Sequence, residues 1–494
     1  MFTRFCAMRQ VLRSTAMLSG SGILAVITGL VTGKLSAMWL GPEGMGFLGA
    51  VRSTTLLGGL VLGLGMSTAV TRVASRMLSE DRNASLDAVV AVACATVLVT
   101  LAIASTAMVA AGTQIGWLLY RKNYPAHPLV LVWVLLCVAG NLLGGISSGI
   151  LRAYRAYVKT IAATSIVNVL LTFLCSLFAL STHQVGWMLP VFAFASLSHA
   201  LVLAVFVYQR HLLCRSISLT RQAWWNAART LYRFAGPYTA SMVVGTGVQS
   251  LLPILILHWA GTVNLGYYVA STAIASQYLS FLTSAMSQDY LPRLSAELQS
   301  TRFPQMIMEQ LQLILLIVLP IVGLVLLLAP VMIPIVYTSN FKITVTLLQW
   351  MVAADIFRFG GWSITFALMA KQSGWYFFAL ELFGGITSLL CSWIGFRLGG
   401  MPGLGWAYCF QCVLFSVAVL ALGMRLLSLQ WSHFPRKTIY YSLISVILVR
   451  ALSLKPDGPR TILAVIVVAF SLLSSYHRLS HYWARRTIAS SGAS

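Results

Sequence analysis

Apolar segments of about twenty residues recur from Leu18 to Ser475, and basic residues fall almost entirely on every second connection between them. A hydrocarbon core about 30 Å thick takes roughly 20 helical residues to cross. Fourteen such segments can be counted, at about 17–40, 46–71, 86–111, 128–150, 160–181, 186–208, 235–258, 265–290, 310–336, 344–369, 374–396, 403–427, 438–453 and 460–476. The fold class that follows is an all-α polytopic membrane protein of about 14 transmembrane helices.

Composition agrees. Hydrophobic residues make up 59% of the chain and charged residues 9%, far too little polar surface for 494 residues in water. The formal charge of +23 invites a nucleic-acid reading, but no basic stripe interleaved with aromatics exists, so nucleic acid is not an expected partner. The Lys and Arg residues sit in short loops, where they face the headgroups of membrane lipids. With a cytoplasmic N-terminus, 23 of the 33 basic residues fall on inner connections or tails and seven on outer ones. That bias predicts cytoplasmic N- and C-termini. The eight cysteines lie in spans or inner loops, so disulfides are not expected; Cys409 and Cys412 read as packing residues one turn apart.

The longest inner connection, 209–233, carries Trp224, Trp225 and five arginines, and suits a basic amphipathic linker in the headgroup layer. It separates an N-terminal six-helix bundle, 1–208, from a C-terminal six-helix bundle, 234–428. Residues 429–494 add two further helices and a cytoplasmic tail. The two bundles read as parallel repeats. Leu40-Gly-Pro-Glu-Gly-Met-Gly46 reappears 220 residues on as Ala260-Gly-Thr-Val-Asn-Leu-Gly266, and Met66-Ser67 matches Met286-Ser287. Six spans per half bring both halves in from the same side, which gives an axis along the membrane normal.

No Walker loop, zinc spacing or nucleotide fingerprint appears, so neither metal nor cofactor is expected, and the loops are too short to fold an enzyme site. Function must then rest on polar groups between helices. Lys34 lies in the first span and Arg52 in the second. A cation at membrane depth costs from about 2.5 kcal/mol upward, so it must face water, a partner or an anion. Their positions 220 residues on are Ile254 and Thr272, so the second half builds the same element without either charge. One reading has the two cations line a central cavity and meet a negative substrate group. The other has them snorkel to the outer headgroups, six to nine residues away. Asp355 and Arg358 stand one turn apart in the tenth span and Glu381 lies in the eleventh. They form an ion-pair network between helices or a protonatable coupling site.

The stretch from Gly20 to Gly46, above all the Leu40 to Gly46 turn, resembles bacterial O-antigen and polysaccharide flippases, as does Gly63-Leu-Gly-Met-Ser-Thr-Ala-Val-Thr-Arg72. That family shares a superfamily with multidrug and toxin extrusion proteins and lipid II flippases. The resemblance implies two six-helix bundles around a cavity that opens alternately to either side, and no catalytic activity. It implies a cargo of oligosaccharide on a polyprenyl diphosphate at the bacterial inner membrane, and polysaccharide polymerase machinery as a further partner. Lys34 and Arg52 fit the family's cationic cavity by position and sign. The alternative of the same fold is a cation-coupled exporter of small molecules. That branch typically places an acidic residue in its first span, and this chain has none between Met1 and Pro42.

Overall fold

The computed structural model describes residues 24, 26–80, 86–120, 128–154, 158–209, 220–298, 300, 302–371, 374–427, 429, 435–453 and 458–491. Among these the secondary structure is helical, with no strand. The basic residues of the N-terminus and the loop cations Arg121 and Lys122 lie outside them. Ten helices among the described residues are long and apolar enough to cross a membrane. The chain is a multi-pass membrane protein, and its large apolar side chains, such as Val109, Phe178 and Leu398, stay exposed where lipid replaces water. The chain divides into two compact units, Met1–Gly266 and Tyr267–Ser494.

The first unit opens with helix α1 over residues 26–39. Gly41 turns the chain with φ +64°, a conformation glycine adopts freely, and Pro42 sits in the first turn of α2, Gly41–Gly63. The expected span 46–71 is broken: Leu64 (φ +45°) and Gly65 (φ +67°) are left-handed, and α3 starts afresh at Met66 and runs to Ser79. The third expected span, 86–111, ends too early. Helix α4, Leu86–Tyr120, bends at Ala111 and continues, so the loop expected from Gly112 is largely helix. Helices α5 (Pro128–Ala153), α6 (Val158–Ser181) and α7 (Met188–Gln209) follow, with α5 packed along α7 and α3. Then α8 runs unbroken from Arg221 to Ala260, so the basic residues from Arg221 to Arg233 are continuous with the apolar stretch behind them. One core joins α3 through α8, built on Val70, Val89, Ile146, Ile150, Leu203 and Leu231.

Both copies of the repeated turn carry a glycine at positive φ. Gly261 has φ +85° and leads into α9, Thr262–Ala285. The two turns meet. A Cβ on Gly46 would overlap the Thr262 carbonyl oxygen, and one on Gly266 would overlap the Pro42 carbonyl oxygen. Positions 42 and 262 are equivalents at the 220-residue offset, as are 46 and 266, so the contact is reciprocal. All four residues lie in the first unit. Where α3 starts in the first copy, the second has a π-helical turn, Met286–Tyr290, before α10, Leu291–Ala296.

The second unit centres on α12, Lys342–Ala370, packed between α11 (Phe303–Val336) and α13 (Gly374–Leu426). A straight helix as long as α13 would reach about 80 Å. It is instead two arms folded at Gly400 (φ +59°, ψ −139°), where Gly403 rests on the Gly395 backbone and Trp406 packs over Gly399. The arms answer to the expected spans 374–396 and 403–427. Helices α14 (Arg436–Leu452) and α15 (Gly458–Ser491) pack against α11, with Val468 and Ser471 against Gly323.

Candidate functional site

In the first unit the two membrane cations stand on consecutive helices. Lys34 precedes the Gly41 turn by about 10 Å along α1, and Arg52 follows it by about 16 Å along α2. Around Arg52 the helix is committed to packing: Ala50, Val51, Ser53 and Thr54 are buried. Arg52 is exposed, on the face they leave open. Lys34 is half-buried, just ahead of the buried Ser36 and Ala37. The hydroxyls of Thr54 and Thr55 are returned to carbonyls one turn back, on Ala50 and Val51, so they do not compete for a ligand.

In the second unit Asp355, 1% exposed, and Arg358 share one face of α12. The Arg358 guanidinium donates from Nη1 to the Tyr408 hydroxyl at 2.6 Å and lies 4.7 Å over the Trp362 ring, with the Asp355 carboxylate in electrostatic reach. Tyr408 belongs to the second arm of α13, so the contact ties that arm to α12. Close by, Ser416 on the same arm donates to the Phe357 carbonyl at 2.7 Å. Glu381 sits on the first arm, half-buried, with no hydrogen bond or ion pair among the described residues. The structure thus brings Asp355 and Arg358 together and leaves Glu381 apart. Sequence reasoning missed Tyr408 and Trp362. Trp362 was within reach of it, since it follows Arg358 by four residues on one face. Tyr408, fifty residues away, carried no such signal.

Other titratable side chains take structural places. His258 donates from Nε2 to the Leu118 carbonyl at 2.6 Å and meets Trp117 edge-on; His183 meets Trp39 edge-on. Asp289 pairs with Arg293 at 3.1 Å, one turn on. Cys409 and Cys412 are free thiols. Among the described residues no three His, Cys, Asp or Glu side chains gather as metal ligands would.

Comparison with known proteins adds what the geometry does not specify. The family described as Polysaccharide biosynthesis protein matches residues 37–346, a stretch that includes Arg52 and the reciprocal glycine turns. A Lipid III flippase of Escherichia coli (strain K12) is 23% identical over 372 residues, covering 74% of this chain and 86% of that protein. Among solved structures, the lipid II flippase MurJ in an inward closed conformation aligns with a TM-score of 0.70 at 13% identity, over 96% of this chain and 100% of that one. An inward-facing multidrug resistance MATE family transporter of the MOP superfamily aligns with a TM-score of 0.67 at 14% identity, over 84% and 98%. Both share the fold of this chain.

Proposed function

The chain belongs to the polysaccharide biosynthesis protein family, and from that membership we propose that it is a flippase for an oligosaccharide carried on a polyprenyl diphosphate. The observation that carries the reading is the family match over residues 37–346, joined by the likeness to a protein named for lipid III flipping. The cargo is a surface-polysaccharide unit of the O-antigen kind. The membrane is the bacterial inner membrane, with both termini cytoplasmic, where polysaccharide polymerase machinery takes up the product. Bundles 1–208 and 234–428, linked through 209–233, rock in alternating access, and 429–494 is an addition to them.

Lys34 and Arg52 receive the diphosphate in this reading. Taking a multiply charged anion out of water is costly, and fixed guanidinium and ammonium groups offset that cost while the prenyl tail remains in lipid. Exposure of Arg52 on α2 supports its availability to a ligand. Asp355 and Arg358 act as a lock between α12 and α13, a role supported by the Tyr408 hydrogen bond, and Glu381 is the carboxyl left for coupling.

The test is transbilayer movement of a fluorescent polyprenyl-diphosphate oligosaccharide in proteoliposomes, with wild type set against Lys34→Ala and Arg52→Ala. Movement by wild type, lost in either folded variant, is the expected result. Uptake of organic cations with no movement of any diphosphate-linked glycan would replace this reading with the small-molecule exporter.

A further inference from the structure

Two pairs of arginines flank one cavity in the first unit, away from Lys34 and Arg52 in sequence. Arg72 and Arg76 lie one turn apart on α3; Arg229 and Arg233 lie one turn apart on α8. With Val73, Met77, Glu80 and Thr230 they line a space of about 960 Å³. The four-residue spacing puts each pair on a single helix face, so two guanidiniums from either side border the same space. All four arginines are exposed. Arg76 also holds Glu80 at 2.8 Å, so four cations stand against one carboxylate in the lining.

The floor beneath them is fixed. Val73 of α3 and Ala227 and Leu231 of α8 belong to the common core, with Met77 packed against it. The arginine pairs are therefore carried on helices already held together by apolar packing. The fold does not demand the charges: 220 residues on from Arg72 and Arg76 stand Pro292 and Ala296. Guanidinium forks match phosphate oxygens two at a time, which makes phosphate the ligand class this cluster recognises best. The depth points to lipid as its source. Trp225, on α8 one turn before Arg229, is exposed, and Trp224 beside it packs against the core. Tryptophan gathers at the headgroup level of a bilayer. The volume exceeds what a lone phosphate needs and suits a headgroup of drug-like size.

We propose that the α3–α8 basket is a binding site for a lipid-borne phosphate drawn from the membrane surface, either the diphosphate of the lipid-linked cargo or the headgroup of an anionic phospholipid. Only the cargo source rests on the flippase reading; the phospholipid source stands without it.

The experiment is equilibrium binding to the purified full chain in nanodiscs of neutral lipid. The probes are fluorescent polyprenyl diphosphate and fluorescent phosphatidylglycerol, with phosphatidylcholine as the zwitterionic control. The variants are Arg72→Ala with Arg76→Ala, and Arg229→Ala with Arg233→Ala. Each pair removed is expected to weaken an anionic probe about tenfold or more, the equivalent of about 1.4 kcal/mol. Selective loss of polyprenyl diphosphate identifies the cargo; equal loss of both probes identifies phospholipid. If an alanine pair does not yield folded protein, the Arg→Lys pairs keep the charge and lose the fork, and are expected to bind several-fold more weakly. Wild-type affinity for both anionic probes in folded variants of both helices overturns the site. So does a wild-type protein that binds phosphatidylcholine as tightly as either. Neither result bears on transbilayer movement, which tests the flippase reading separately.

Discussion

Arg358 and Arg450 are both cations at apolar depth, and their surroundings differ in a way that predicts opposite responses to mutation. Arg358 has an acceptor in the Tyr408 hydroxyl and a ring beneath it. Tyr408→Phe keeps the packing and removes the acceptor, which is expected to cost about 1–3 kcal/mol, seen as a lower thermal midpoint in detergent. Arg450, 6% exposed, stacks 4.7 Å over Trp350, yet its Nε and Nη1 find no hydrogen-bond partner among the described residues. Two buried donors without acceptors cost about 1–3 kcal/mol each, against about 0.5–2 kcal/mol from the cation–π contact. Arg450→Met, which keeps the stem, is therefore expected to hold or raise the midpoint; a clear fall would show that the charge is satisfied in the folded protein. Arg358 was legible in the sequence because it stands out in an apolar run, and Arg450 only as a charge that shortens the thirteenth expected span. Their partners were not, because Tyr408 and Trp350 reach them only through the packing of α12 against α13 and α14.

At the scale of helices, the Gly41 turn and its copy at Gly261 were readable from the repeated glycines, and their close approach was not. Crowding there cannot be relieved by rotating a side chain, because the obstructing atoms are carbonyl oxygens. Gly46→Ala and Gly266→Ala are expected to destabilise by similar amounts, each about 1–3 kcal/mol, measured by thermal or chemical unfolding. Gly400 offers a second case. Its φ of +59° with ψ of −139° is a conformation open almost only to glycine, so Gly400→Val is expected to cost about 1–3 kcal/mol and loosen the α13 fold-back. The sequence showed two apolar spans on either side of it, because hydropathy reports length well. It could not show the break at Leu64, where a non-glycine residue takes a left-handed turn. Nor could it show that α8 continues through the basic stretch, since polar composition marks the end of the hydrocarbon layer and not the end of a helix.

For the whole chain, the alternation of apolar runs and basic connections was enough to reach a polytopic helical protein, and the resemblance in the first two spans was enough to reach the family. What the last two expected spans do was not readable from either. In the second unit α14 and α15 cover α11, with Val468 at Gly323, and α14 also sets Arg450 on Trp350 of α12. Removing residues 429–494 is accordingly expected to lower expression and thermal midpoint together; a truncated chain as stable as the full one would show that this covering is dispensable.

Because position 42 meets 266 while 262 meets 46, the crossing is self-complementary: the same short segment supplies both sides. That is how identical subunits meet across a two-fold axis. A chain of half this length, holding only one such turn, could make the contact with a second copy of itself. Joining the halves in one polypeptide frees each to change alone, which is how the first copy carries Lys34 and Arg52 where the second has Ile254 and Thr272 at the equivalent positions.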